Sequence, residues 1–150
     1  MKKLNTDLKI IGIIHSDYKN THQAPPQGKN EISKIEIYPE YEPGLKHIEG
    51  FSHINVFYWL HKSEGYHLDV LTPWDTTAHG LFTTCSPHRP NPLGYSVVKL
   101  VKREKNILTV KGLDAIEGTP VLDIKPFFKR VRDDEEIKQG WVEHTDLKRN

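Results

Sequence analysis

Cysteine is nearly absent from this chain of 150 residues, whose single example is Cys85. One thiol cannot form a disulfide within the chain, and it cannot supply the several thiolates of a cysteine-based zinc site. The hydrophobic core must therefore stabilise the fold, and a chain of this length is long enough to bury one. We expect residues 1–150 to form a single domain with no separate C-terminal domain, in which Cys85 is a small buried side chain.

Net charge is also lacking, since 21 lysines and arginines stand against 20 aspartates and glutamates, for a total of +1. The sequence thus excludes a global positive field of the kind that attracts nucleic acid, and any contact with RNA must be local. The best local candidate is the basic segment 125–132, but the acidic segment 133–136 follows it at once. This arrangement indicates a solvated, charge-balanced stretch.

Long apolar runs are missing as well. No stretch approaches the roughly 18 apolar residues of a membrane span, and the first residues lack the apolar part of a secretory signal. We therefore expect a soluble, cytoplasmic protein that does not contact a membrane. Nine histidines are present, yet none shows the spacing His-x-His or His-Glu-x-x-His, so the sequence predicts no metal site.

Short β-type runs separated by Pro, Gly and Asn recur along the chain, and no segment keeps an apolar stripe at helical spacing. This pattern predicts a mainly β, antiparallel domain with long loops at 16–30 and 62–79. The predicted strands are 8–15, 31–38, 51–61, 80–85, 93–101, 107–113 and 121–125. The clearest hairpin joins 93–101 to 107–113 through residues 102–106, and helical turns within 42–50 should end at Gly50.

An unusual feature of the sequence is a proline-rich loop at residues 86–94, which reads Ser-Pro-His-Arg-Pro-Asn-Pro-Leu-Gly. Each proline holds its φ angle near about −65°, and each residue before a proline is biased towards an extended conformation. The loop is therefore stiff, and the side chain of Arg89 should point in a set direction. The alternative interpretation is a rigid connector that only positions the strand beginning at Tyr95.

The same loop belongs to a series of motifs that covers nearly the whole chain. The other motifs are Ile-Gly-Ile-Ile-His-Ser at 11–16, Gly-Phe-Ser-His-Ile at 50–54, Gly-Leu-Phe-Thr-Thr at 80–84, Tyr-Ser-Val-Val-Lys-Leu at 95–100 and Leu-Asp-Ala-Ile-Glu-Gly-Thr-Pro-Val-Leu-Asp-Ile-Lys-Pro at 113–126. In these motifs and their order the chain resembles the TrmO (TsaA-like) family.

The resemblance implies a coiled antiparallel β-barrel that forms a homodimer and uses S-adenosylmethionine to methylate tRNA. The acceptor that it implies is N6 of a threonylcarbamoyl-modified adenosine next to the anticodon. The chain has no Gly-x-Gly-x-x-Gly that follows a strand and opens a helix, so a doubly wound cofactor site is not supported, in agreement with a barrel.

The resemblance also implies a set of site residues. The positions that would contact the cofactor are Pro25, Pro26, Gln27, His61, Lys62, Tyr95, Lys111, Gly112, Leu113 and Asp114. A carboxylate such as Asp114 suits a cationic sulfonium or amino group, and an aromatic ring such as Tyr95 suits adenine. Asp114 could equally be a turn residue that bonds to nearby backbone amides.

Four further residues are candidates for the reaction itself. We expect Arg89 and Asn91 to position the substrate, with Asp123 and Lys125 in support, since these two share one face of the predicted last strand. Methyl transfer depends mainly on in-line positioning, and Asp123, Asp114 or His61 could receive the proton of the acceptor if folding brings one within reach.

One departure from the family pattern leaves alternatives open. Cys85 stands where the family has an arginine, so a planar, permanently charged donor is missing here. Either Lys62 or Arg89 substitutes for this donor, or the affinity and specificity for the ligand differ. A non-catalytic S-adenosylmethionine-binding or nucleotide-binding β-domain is therefore an alternative, and an RNA-binding module without a cofactor is another.

Overall fold

The computed structural model describes residues 7–20 and 31–145, which fall into two compact units. One unit comprises the described residues up to Lys62 together with Pro92–Phe127, and we call it the barrel unit. The other comprises Ser63–Asn91 together with the described residues from Phe128 onwards, and we call it the loop unit. Within the described parts of the chain, no helix is both long and apolar enough to cross a membrane.

The barrel unit is a closed barrel of six antiparallel strands, in the order β1-β2-β7-β6-β3-β8. Its strands are β1 (Gly12–His15), β2 (Ile32–Ile37), β3 (His53–Trp59), β6 (Leu93–Glu104), β7 (Ile107–Lys111) and β8 (Thr119–Pro126). The loop unit contains the two-residue strands β4 (Asp69–Val70) and β5 (His79–Gly80), which pair with each other. The predicted mainly β, antiparallel barrel is confirmed.

Alternation of side chains places the core inside the barrel. In β2 the alternate residues Ser33, Ile35 and Ile37 are buried, and in β3 the inward residues are Ile54, Val56 and Tyr58. A β-strand turns successive side chains to opposite faces, so one apolar residue in two is enough to fill a barrel of this size.

A bulge in β8 decides which of its residues face outward. Phe57 of β3 pairs with Asp123, but the next residue, Tyr58, pairs with Val121, so that Leu122 is the extra residue. Because one residue is inserted, Val121 and Ile124 both pack on the core although they are three apart. Asp123 and Lys125 are exposed and form an ion pair of 3.8 Å, as expected for two residues on one face.

In the described part of the chain there are also four 3-10 helices: Pro39–Leu45 and Ile48–Gly50 in the barrel unit, and Leu81–Thr83 and Gly140–His144 in the loop unit. The first two correspond to the helical turns predicted within 42–50. The strand predicted at 80–85 is wrong, because β5 ends at Gly80 and a helical turn follows. The hydroxyls of Thr83 and Thr84 donate hydrogen bonds to the carbonyls of Gly80 and Leu81, 2.8 Å each, and so stabilise a turn.

Strand boundaries also differ from the prediction, most clearly in β1 and β6. Residues 8–11 precede β1 rather than belong to it, since the strand begins at Gly12. The hairpin connection is shorter than the predicted residues 102–106, because β6 continues to Glu104 and only Lys105 and Asn106 turn. Lys105 has a φ of 55°, and the Asn106 amide donates to the Ile37 carbonyl at 2.7 Å, which ties the hairpin end to β2.

Candidate functional site

A polar cluster lies at one end of the barrel, where β3 and β7 end and β6 begins. The Tyr58 hydroxyl donates to Asp114 Oδ1 at 3.0 Å and lies 2.9 Å from the Ser96 hydroxyl, which is 3.4 Å from the same carboxylate oxygen. The Tyr58 side chain is 4% exposed, whereas Asp114 is exposed. We call these three residues the Asp114 cluster.

Burial and then the neighbouring Asp114 carboxylate raise the pKa of the Tyr58 phenol well above its ordinary value. The phenol therefore stays protonated and keeps donating to the carboxylate at neutral pH. With Oδ1 held in this way, Oδ2 accepts no hydrogen bond from the described residues and is available to a cationic group.

Gly94 makes the position of Tyr58 possible. The two residues are directly opposite each other in the β3 and β6 pair, and the ring of Tyr58 lies on the glycine. A Cβ at position 94 would stand 2.0 Å from the ring, far inside contact distance. Because Gly94 has no side chain, the Tyr58 ring can occupy the space beside its backbone.

A tight turn after β7 presents Asp114 itself. Gly112 has a φ of 95°, which glycine adopts readily, and its N–H donates to the Glu31 carbonyl at 3.1 Å. After this turn Leu113 is fully buried and Asp114 points outward. Asp114 is therefore anchored by the buried residue before it and by the hydrogen bonds of its own carboxylate.

The outer face of β3, β6 and β8 carries exposed aromatic and polar side chains. Tyr95 is 57% exposed, and its hydroxyl donates to Asn55 at 2.9 Å while its ring lies 5.3 Å from that of Phe57. The Lys125 ammonium is 5.8 Å from the Phe57 ring centre, next to its ion-pair partner Asp123. Tyr95, Asp123 and Lys125 are thus brought onto one surface of the barrel unit.

The segment after β3 leads back to the first long loop. The backbone N–H of His61 donates to the Trp59 carbonyl at 2.8 Å, and the Lys62 ammonium donates to the Lys19 carbonyl at 3.1 Å. Lys19 lies just before residues 21–30, so the predicted cofactor contacts Pro25, Pro26 and Gln27 lie outside the described residues. Lys111 is partly buried as the last residue of β7.

Arg89 and Asn91 belong to the loop unit. Nη1 of Arg89 donates to three carbonyls of its own unit, those of Thr84 (2.9 Å), Ser86 (3.2 Å) and Leu81 (3.4 Å). Its guanidinium lies 5.9 Å from the ring centre of Phe82. Asn91 is exposed. The direction of the Arg89 side chain is therefore set, and part of its function is to hold this loop together.

Other contacts keep the proline-rich loop in place. The Ser63 hydroxyl donates to the Pro87 carbonyl at 2.7 Å, and the His88 ring donates to the Glu64 carbonyl at 3.1 Å. Cys85, in contrast, is exposed, so the expectation of a buried thiol is wrong. The carbonyls around it are the ones that accept from Arg89, and this turn leaves the Cys85 side chain on the surface.

A second charged cluster lies at the same end of the barrel as Asp114. His15, the last residue of β1, lies 2.7 Å from Glu36 through Nε2 and 3.1 Å from Glu117 through Nδ1. Both ring nitrogens can donate only in the charged imidazolium, so the hydrogen bonds to Glu36 and then to Glu117 raise the pKa of His15. The Ser16 N–H donates to Glu117 and, together with His15, lowers the pKa of that carboxylate.

Sequence reasoning did not identify Tyr58, Ser96 and Asn55 as site residues. The Tyr58 ring packs in the core, as expected for an aromatic residue in a strand, whereas its hydroxyl takes part in the Asp114 cluster. The signal that could have found it is the pairing of a tyrosine with a glycine between two predicted neighbouring strands. Among residues 7–20 and 31–145, no group of three His, Cys, Asp or Glu residues could hold a metal ion.

Comparison with known proteins connects this geometry to a family. The family model described as "tRNA-methyltransferase O N-terminal domain" matches residues 13–133 of this chain. A protein of Archaeoglobus fulgidus named "Probable S-adenosyl-L-methionine-binding protein" is 49% identical over 138 residues, which are 91% of this chain but 38% of that protein. The chain therefore spans well under half the length of this relative.

Two further comparisons extend the likeness. The mouse protein named "tRNA (adenine(37)-N6)-methyltransferase" is 42% identical over 94 residues, which are 61% of this chain and 22% of the mouse protein. The crystal structure of TrmO from Pseudomonas aeruginosa superimposes with a TM-score of 0.74 at 27% identity, over 92% of this chain and 63% of that one.

Proposed function

Because the chain belongs to the family of tRNA-methyltransferase O N-terminal domains, we propose that it is an S-adenosylmethionine-dependent methyltransferase that acts on tRNA. The finer proposal is N6 of a threonylcarbamoyl-modified adenosine next to the anticodon as the acceptor. We also propose that the chain is a single functional domain, that it works as a homodimer and that it is cytoplasmic. The observation that carries the proposal is the Asp114 cluster, an exposed carboxylate held by a buried tyrosine.

The donor set of the barrel unit fits this cofactor. S-adenosylmethionine has a cationic sulfonium, an amino-acid end and a flat adenine, and when bound it supplies the methyl group. Oδ2 of Asp114 can accept from a cationic group, while the exposed ring of Tyr95 offers a surface for a flat heterocycle. Residues 111–113 directly precede Asp114, His61 and Lys62 follow the strand that carries Tyr58, and Pro25, Pro26 and Gln27 complete the proposed set.

The remaining candidates concern the acceptor. Asp123 is an exposed carboxylate 3.8 Å from the Lys125 ammonium and can accept a proton from the acceptor, and Lys125 can contact a phosphate. In the loop unit, Nη1 of Arg89 holds the loop, whereas Nε and Nη2 donate to no described residue and can reach substrate oxygens. Asn91, exposed on the same loop, can orient a base edge.

A second candidate function is binding of S-adenosylmethionine without methyl transfer. It is favoured by the name of the archaeal relative, which mentions binding alone, and by Cys85 in place of the family arginine. The two proposals share the cofactor site and differ only in the reaction, so one set of measurements separates them.

The test begins with calorimetric titration of S-adenosylmethionine into the wild type, Asp114→Asn and the control Asp69→Asn, an exposed aspartate of the loop unit. We expect binding by the wild type and the control, and affinity reduced about tenfold or more in Asp114→Asn, since hydrogen bonds to charged groups contribute about 1.5–3 kcal/mol. Equal affinity in all three proteins would remove Asp114 from the site.

Transfer of labelled methyl groups to total tRNA then decides between enzyme and binder. Incorporation by the wild type at adenosine supports the methyltransferase. Cofactor binding without incorporation into tRNA of several sources supports the binding protein, and absence of binding contradicts both proposals.

A further inference from the structure

A cavity of about 460 Å³ opens at the end of the barrel opposite the Asp114 cluster. Its lining includes Ile11, which precedes β1, Ile37, which ends β2, and Pro126, which ends β8. Tyr58 and Asp114, in contrast, lie where β3 and β7 end. Since neighbouring strands of the barrel are antiparallel, the cavity and the Asp114 cluster lie at opposite ends. We call this space the barrel-end cavity.

The walls of the barrel-end cavity are apolar and include two aromatic rings. Tyr41, Phe51, Ile48 and Ile124 pack on the core with one side, yet each keeps partly exposed surface that lines the cavity. The volume lies within the roughly 300–1,000 Å³ of pockets that hold small molecules. The dimensions and lining therefore suit a compact ring system.

One arginine holds the outer wall in shape. Arg103 is largely buried and donates through Nη1 to the Leu45 carbonyl and to Glu49, both at 3.0 Å, and through Nε to the Lys105 carbonyl at 2.7 Å. Its guanidinium thus ties the end of β6 to the 3-10 helices Pro39–Leu45 and Ile48–Gly50. The cavity is preformed, which lowers the entropy lost when a ligand binds.

The link between these two helices adds backbone strain at the rim. His47, which lines the cavity, has a φ of 68°, a left-handed conformation that is uncommon for a residue other than glycine. Strained residues of this kind concentrate at ligand sites, where the surrounding structure maintains them. Here the Arg103 contacts on either side of His47 provide that support.

The charges of the rim favour one class of ligand. Lys46 lines the cavity and forms no ion pair with any described residue, and His47 lies beside it. The acidic residue of the lining, Asp123, is 3.8 Å from the Lys125 ammonium, so its charge is offset. We propose that the barrel-end cavity binds a small aromatic molecule with a carboxylate, the ring between the apolar walls and the carboxylate facing Lys46.

Three probes that share the indole ring system but differ in charge test the proposal: indole-3-acetate, indole and tryptamine. We expect indole-3-acetate to bind the wild-type protein measurably in calorimetric titration and tryptamine to bind severalfold more weakly, because Lys46 attracts the anion and repels the cation. Equal affinity for the anion and the cation, or no binding of indole-3-acetate, would overturn the proposal.

Two variants and one control test whether the probe binds in the cavity. Gly44 lines the cavity and has no atoms near an added Cβ, so Gly44→Phe should fold and reduce probe affinity, whereas Gly50→Phe, equally free of neighbours but outside the lining, should not. Lys46→Glu should weaken indole-3-acetate binding about fivefold to tenfold and leave S-adenosylmethionine binding unchanged. The site is contradicted if neither Gly44→Phe nor Lys46→Glu changes the affinity for indole-3-acetate.

The outcome can be separated from the proposed cofactor site at Asp114. Asp114→Asn, at the opposite end of the barrel, should leave probe binding within about twofold of the wild type, a difference far below that of a lost direct contact. Loss of probe binding in Asp114→Asn would show that the probe occupies the proposed cofactor site instead, and would overturn the barrel-end site.

Discussion

Asp114 in the barrel unit and Arg89 in the loop unit are both charged residues in loops, but the structure engages them differently. The Asp114 carboxylate is fixed through Oδ1 by side chains of two neighbouring strands. The Arg89 guanidinium is fixed through Nη1 by carbonyls from the loop that carries it.

The comparison shows two ways to orient a charge. Asp114 depends on side chains that belong to a closed barrel, so its position is as stable as the barrel core. Arg89 depends on the backbone of its loop, and that backbone depends on Arg89 in return. A change at Asp114 should therefore affect ligand binding with little loss of structure, whereas a change at Arg89 should affect both.

The largest effect is expected for Gly94→Ala, which attacks the support of Asp114. The new Cβ would overlap the Tyr58 ring, so we expect the free energy of unfolding to fall by about 3 kcal/mol, at the upper end for overpacked cores. Urea denaturation measures it, with Gly50→Ala as the control, since a Cβ there meets no atoms. Similar stability of the two variants would mean that the Tyr58 ring does not occupy the space beside Gly94.

Arg89→Ala should have the next largest effect. Three carbonyls lose a charged donor, so we expect a loss of about 2 kcal/mol in stability, together with a greater loss of methyl transfer. Arg130→Ala is the control, because Arg130 is exposed and forms no ion pair with a described residue. Denaturation and methyl incorporation are measured in parallel, and full stability with no activity would refute the loop-holding function of Arg89.

Tyr58→Phe keeps the ring and removes only the hydroxyl of the Asp114 cluster. We expect a loss of about 1 kcal/mol in stability and a severalfold loss of S-adenosylmethionine affinity, since Asp114 loses its buried donor. Tyr66→Phe, at an exposed tyrosine of the loop unit, is the control. Unchanged affinity would indicate that Asp114 does not need Tyr58 for its orientation.

The smallest effect concerns His15, and its sign depends on pH. The pKa of His15 is raised in the fold, so its contribution is fully present below the ordinary 6.5 and is lost as pH rises through the raised value. The pKa of Glu117 is lowered, so its contribution is present above the ordinary 4.5 and is lost as pH falls through the lowered value. The stabilisation is therefore greatest between these two ordinary values.

His15→Gln should remove the part of this pH dependence that comes from His15, while the Ser16 N–H continues to lower the pKa of Glu117. Both partners are about two-fifths exposed, so solvent screening keeps the difference from wild type below about 1 kcal/mol. Thermal denaturation between pH 4 and pH 9 measures it, with the exposed His67→Gln as the control. A difference from wild type that stays constant across this range would contradict the charged cluster.

Much of the barrel could be predicted because its strands alternate regularly. Residues such as Ile35 and Ile37 in β2 indicate their own inward face, and the resemblance provided the closed topology. The bulge at Leu122 was not predictable, because a bulge depends on the partner strand and leaves no period in the sequence. The strand expected at 80–85 failed because threonine favours strands by propensity, yet Thr83 and Thr84 bond back to local carbonyls.

The candidate site was predictable in part. Asp114 and Tyr95 followed from the resemblance, but the Tyr58 hydroxyl could not be assigned, since only the register of β3 against β6 brings it to Ser96. The exposure of Cys85 was also missed, because residue type predicts average burial and not the conformation of one turn. What the sequence could not supply in each case is a contact between distant residues.

The tyrosine ring that lies on Gly94 has a consequence for the history of the family. A larger residue at position 94 is compatible only with a smaller one at position 58, so position 94 cannot change alone without loss of stability. Substitutions at the two positions should therefore be correlated among relatives. A relative with a larger residue at position 94 should also lack the tyrosine at position 58 that donates to the carboxylate.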